Sequence, residues 1–255
     1  MSCSEKLVAD EHCFGTREML QSLVPGRVVK ADVIDMVVGK MSHDKDLYRW
    51  FLPTIFSSMA LTPDEVDYRI VDYMRGRYMG KFDEVLKVYV PLVRNQHWFL
   101  LIIDTGHHTM TYMDSYKDSE ESPGRIKQLK DAVDFLEKIL QDRHFFVHSI
   151  TTKPKLSEYE FIEDNPPQQD EGSNDGGVWV AQWLEHSNMW DNYVTEVTDR
   201  TRMQIAIELV MGKHNPKADK VCSLAIRTWD MKVRQAKAQL NPRNTKRKPR
   251  EAKKN

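Results

Sequence analysis

Cysteine is scarce in this chain. Of 255 residues only Cys3, Cys13 and Cys222 carry a thiol. They show no CxxC spacing and no disulfide framework, which excludes a small disulfide-stapled fold and points to a reducing compartment, nucleus or cytoplasm. The nine histidines are scattered without ligand spacing, so neither a zinc site nor any other cofactor is expected. Long apolar runs are missing as well, and no signal segment is visible at the start, so no membrane span is expected. An excess of one charge is absent: the net charge is -1, which excludes the whole protein as a polyanion binder. There is no internal repeat.

What is present is enough chain for one sizeable core. Residues 1–20 are mixed and are expected to be loosely held, residues 21–238 form the folded domain, and 239–255 form a basic tail. From Arg243 that tail carries seven Lys or Arg and one Glu, a composition that cannot pack a core. Nuclear import, nucleic-acid contact and simple solubilisation all remain open for it.

The periodicity predicts an α+β domain. Val33, Ile34, Val37, Val38 and Met41 recur at helical spacing, with Asp32 in the first turn. Pro53 starts or interrupts a helix, and Thr62-Pro63-Asp64-Glu65 has the form of an N-cap. FDEVLKVYVPLV, HWFLLIID and TMTYMDS read as neighbouring strands, with a hairpin across 104–109 whose His107-His108 tip is solvated. A helix follows over 122–143, with Ile126, Leu129, Val133, Leu136, Ile139 and Leu140 as its apolar stripe. HFFVHSITT is a further strand candidate. A polar Pro/Gly loop over 163–177 leads into a buried helix, and two more helices span 198–211 and 218–238.

Three pieces could carry chemistry. His97 starts one strand and Asp114 ends the next, so the carboxylate could orient the imidazole for work on a nucleophile. A glutamine in the following loop could donate to an oxyanion, and a nucleophile belongs at the helix start, where the dipole lowers a thiol pKa. Taken singly, each has a structural alternative: a histidine at a strand start, a strand-end aspartate, two loop glutamines. At the helix start stand Gly176 and Gly177, which have no side chain.

LVPGRVVKADVIDMVV, WFLPTIFSSMAL, YMGKFDEVLKVYVPLV, NQHWFLLIIDTGHHTMTYMDS and PPQQDEGSNDGGVWVAQW together resemble the ubiquitin-like-protein-specific (SUMO-protease-type) cysteine peptidases, especially plant-type members. The resemblance covers about residues 20 to 235. It implies a papain-like cysteine protease fold, with a small mixed central sheet flanked by helices, and cleavage after the Gly-Gly end of SUMO or a related modifier. It puts the base on His97, its carboxylate on Asp114 and the oxyanion donor on Gln169. Trp98 would line the channel for the diglycine tail, next to Gly177. The family's nucleophilic Cys falls on Gly176. Six residues separate Gln169 from Gly176 where the family has five, so the loop is longer.

A thiolate attacking the last glycine carbonyl, with His returning the proton to the leaving amine, is the family's chemistry. Without that thiol little or no covalent protease activity is expected. Replacement is not expected either: Cys13 precedes the matched region and is read as mobile, Cys222 as buried structure, and Cys3 as near a free end. Three readings stand: a modifier protease in which position 176 has been substituted, a catalytically dead relative that still binds SUMO or another modifier and its conjugates, and a scaffold with a degenerate site.

Overall fold

A computed structural model describes residues 2–43, 48–62, 66–147, 153–187 and 194–240. In chain order the elements are β1 (Lys6–Ala9), β2 (Phe14–Thr16), α1 (Arg17–Leu20), α2 (Ala31–Ser42), β3 (Arg49–Phe51), α3 (Thr54–Ala60), α4 (Tyr68–Tyr78), β4 (Lys87–Arg94), β5 (His97–Asp104), β6 (Thr109–Met113), α5 (Ser122–Ile139), β7 (Glu160–Glu163), α6 (Gly176–Glu185), α7 (Asp199–Met211) and α8 (Ala218–Leu240).

The apolar runs of β4 and β5 place them at the centre of a five-stranded sheet ordered β3-β4-β5-β6-β7. The three central strands are antiparallel, and the outer two, β3 and β7, pair in parallel, so the sheet is mixed. Helices α3 and α5 pack on one another and on β4, while α6 packs on α2 and on β5. Between these layers lies the core, with Trp50, Phe51, Phe56, Tyr89, Phe99 and Tyr112 fully buried. This is the α+β, papain-like arrangement, a small mixed sheet flanked by helices.

Two local features position the strand starts. Asn95 and Gln96 both have positive φ, at 49° and 65°, and they are the two loop residues between the paired Arg94 and His97. Positive φ at both centres is the tight hairpin geometry that matches strand twist. It sets His97 as the first residue of β5. At the far end of that strand Asp104 accepts from the His107 backbone N–H, closing the second hairpin with an exposed His107 at its tip.

Several expectations are corrected. Residues 2–20 are not loose: β1 and β2 form an antiparallel ribbon, and the Asn215 side chain bonds both Leu7 O and Ala9 N. Helix α4 is capped by Asp67, whose carboxylate accepts from Arg69 N, not by Thr62; residues 63–65 lie outside the described residues. Arg143–Phe145 is a 3-10 turn with Phe145 and Phe146 in the core rather than a strand, and 148–152 lie outside the described residues. The short edge strands β3 and β7 fall in segments to which the sequence pattern assigned no strand. Helix α8 reaches Leu240, and residues 241–255, with nearly all of the basic tail, lie outside the described residues.

Candidate active site

His97 and Asp114 meet. Pairing of β5 with β6 brings the end of one strand beside the start of the other, and His97 Nε2 lies 2.6 Å from Asp114 Oδ1. Asp114 is fully buried and saturated: Oδ1 also accepts from Tyr116 N at 2.9 Å, while Oδ2 accepts from the Tyr112 hydroxyl and from Arg125 at 2.7 Å. Burial alone would favour the neutral acid, but the bonds from His97, Tyr112 and Tyr116 outweigh it and hold the carboxyl below its ordinary range. An ionised carboxylate only accepts, so Nε2 carries the imidazole hydrogen and Nδ1 is left as the working nitrogen. Burial, then the adjacent Asp114, pushes the Tyr112 hydroxyl upward, which keeps it a donor.

Nδ1 faces Gly176. A Cβ on Gly176 would lie 3.0 Å from Nδ1, 3.1 Å from Cε1 and 3.2 Å from Trp98 N. Helix α6 begins at that residue, with Asp175 as its N-cap. The Asp175 carboxylate does not cap the helix. Oδ1 takes Arg202 Nε at 2.8 Å and Oδ2 takes the Ser173 hydroxyl at 2.6 Å. Gly177 is required by close packing: a Cβ there would sit 2.6 Å from Val29 Cβ and 2.9 Å from Trp98 Cδ1.

Trp98 is 3 % exposed, and its indole N–H donates to Val29 O at 2.8 Å. It is a buried wall beneath the α6 start. Gln169 lines the same cleft of about 230 Å³ as His97 and Gly176. Its N–H and side-chain oxygen bond Ser115, and Nε2 donates to Ser173 O at 2.9 Å, leaving one amide hydrogen free to serve a ligand. The long loop turns at Gly172, φ +76°. Gln168 instead braces the backbone beyond β6, its amide donating to Asp114 O and its oxygen accepting from Lys117 N.

Two arginines that sequence reasoning passed over hold this geometry. Arg125, on α5, is 3 % exposed and binds both Asp114 Oδ2 and Tyr116 O. Arg202, on α7, is buried and ties Asp175 and Asn174 O to Ser22 O and Val24 O. The signal was there: Arg125 shares a stripe with Leu129, Ala132 and Leu136, and Arg202 with Ile205 and Leu209, all buried.

None of the three thiols lines the cleft. Cys13 is not mobile; it closes the β1–β2 turn, where burial and then the nearby Asp10 and Asp35 push its thiol far up. Cys222 is only half-buried on α8, with Leu224 and Ala225 turned outward, which corrects its reading as core. Cys3 is exposed.

The site therefore pairs an oriented imidazole with a helix N-terminus and a free amide hydrogen, and offers backbone alone where the imidazole points. Residues 66–208, over half of the chain, match the profile of the Ulp1 protease family, C-terminal catalytic domain. No curated protein matches. Among solved structures, the C-terminal Ulp1 protease domain in complex with Smt3, the yeast ortholog of SUMO, is 20 % identical with a TM-score of 0.65, over 83 % of this chain and 89 % of that one. The Ulp1-like SUMO protease catalytic domain of Chaetomium thermophilum is 18 % identical with a TM-score of 0.58, over 83 % and 85 %. A de-sumoylating protease is 14 % identical with a TM-score of 0.54, over 94 % and 97 %.

Proposed function

The chain belongs to the Ulp1 protease family, and from that premise we propose that it is a catalytically silent member that binds SUMO or a related ubiquitin-like modifier. In this reading His97 is the base, Asp114 its orienting carboxylate, Gln169 the oxyanion donor, and Gly176 the position of the missing nucleophilic cysteine. Trp98 and Gly177 shape the floor under the diglycine tail. The plant-type likeness and a nuclear or cytoplasmic location belong to the same reading, as does nucleic-acid contact by the basic tail.

One observation carries it: Nδ1 of an intact His97–Asp114 pair points at a residue with no side chain. The apparatus for orienting the imidazole is complete, and the atom it would activate is absent. Loss of the nucleophile from such a unit leaves only a small remainder of the rate. The reading of a protease using another thiol is opposed by the Cys13 environment, which disfavours its thiolate.

The test uses SUMO bearing a C-terminal electrophile and, separately, unmodified SUMO. The expected result is no covalent adduct and a non-covalent complex of about micromolar Kd by calorimetry. An adduct on Cys3, Cys13 or Cys222 would overturn catalytic silence. Absence of any complex would leave the scaffold reading.

A further inference from the structure

Three carboxylates around the cleft are each matched by an arginine. Asp114 pairs with Arg125 at 2.7 Å, Asp175 with Arg202 at 2.6 Å, and Glu121 with Arg94 at 3.1 Å. The other titratable neighbour of His97 is Tyr116, with ring centroids 6.1 Å apart. A protonated His97 would share Asp114 with Arg125, leaving these paired groups one negative charge short. In a cysteine enzyme the thiolate supplies it. Here the corresponding space ends on Gly176.

Two further features favour an anion at that point. No side chain caps α6, ten residues long, so the positive end of its dipole opens on the cleft. Gln169 lines the same cleft and has one amide hydrogen left after its bond to Ser173 O. A thiolate would repel a carboxylate arriving here; glycine removes that repulsion and leaves the attractive groups standing.

We infer that this cleft binds the free α-carboxylate of a processed, Gly-Gly-ended modifier, with the carboxylate taking the thiolate's place beside His97 Nδ1 and the first N–H groups of α6. The inference rests on the modifier-binding reading above. It makes the protein a reader of mature modifier in preference to conjugates, because an isopeptide-linked tail presents a neutral amide at the same position.

The experiment titrates the full chain with SUMO ending in a Gly-Gly acid and with the same SUMO ending in a carboxamide. The acid is expected to bind about tenfold tighter or more, in line with a hydrogen bond to a charged group. The preference should vanish in His97→Ala and in Gly176→Asp, which brings its own carboxylate. Equal affinity for acid and amide overturns the inference and leaves modifier binding intact. If neither form binds, the modifier reading fails by itself, and N-acetyl-glycylglycine with its amide decides the rest. A shift of the His97 ring resonances with the acid alone sustains a carboxylate site, and no such shift removes it.

Discussion

His97 Nδ1 lies 3.0 Å from the point a Cβ on Gly176 would occupy, close enough that a side chain there makes the ring give by a few tenths of an ångström. The imidazole is not locked against such a shift, because its firm bond runs from the opposite nitrogen to Asp114. Gly176→Cys is therefore expected to restore release of a leaving group from the SUMO C-terminus. Adding His97→Ala to that variant should remove about 10³-fold or more of the regained rate. Steady-state cleavage of a SUMO C-terminal fluorogenic amide measures both, and an inert Gly176→Cys protein of native stability would count against the catalytic assignment.

Adjacent glycines should behave oppositely. At Gly177 an added methyl meets Val29 Cβ at 2.6 Å and Trp98 Cδ1 at 2.9 Å, both set in the core. Gly177→Ala is expected to cost about 1–3 kcal/mol through overpacking. Gly176→Ala meets chiefly the His97 ring, and should change stability by well under half as much. Urea denaturation of the two variants compares them directly.

Arg125 and Asp114 form a pair with 3 % and 0 % of their side chains exposed. Arg125→Met leaves a buried carboxylate short of a partner and is expected to destabilise by about 3–5 kcal/mol. Asp114→Asn on top of it should recover part of that loss, and a double-mutant cycle in urea gives the coupling. The Asp114 pKa is depressed when folded, so its contribution is present above the unfolded carboxyl value and disappears as pH falls through the folded value. Acid titration of stability should show that loss beginning near pH 4 and steepening below it.

His12 anchors the N-terminal ribbon in another way. It is buried against Tyr78 with neither ring nitrogen hydrogen-bonded, and burial lowers its pKa despite opposing Asp10 and Glu11. His214 is lowered by burial too, against Asp10. Both are held neutral in the folded state, so their contribution is complete above the unfolded value near 6.5 and declines as pH drops through the lower folded values. From about pH 6.5 downward the protection of the β1 and β2 amides against exchange should weaken more than that of β4 and β5. His12→Phe should flatten the difference, and unchanged protection across that range would argue against ribbon release.

Local pattern was sufficient for much of the molecule. Alternation and apolar runs gave β4, β5 and β6, the stripe on α5 gave that helix, and Gly177 followed by an apolar segment gave α6. His97 and Asp114 were legible because adjacent strands joined by a tight turn hold their ends together. Other features depended on distant chain. β3 and β7 are three and four residues long and exist by parallel pairing to β4 and β6, a pairing no short window encodes. The β1–β2 ribbon is held by Asn215, some two hundred residues away.

The sequence by itself determined the central strands, the long helices, the placing of His97 and Asp114 on adjacent strands, and the absence of a side chain at position 176, since these follow from residue identity and from periodicities of two and 3.6. Only the tertiary structure decided how Nδ1 of His97 is aimed, that Trp98 is wall rather than surface, and that Arg125 and Arg202 are buried ties. Those depend on which groups meet in a water-poor interior. There a guanidinium that would be a weak surface charge becomes the partner a carboxylate cannot lose.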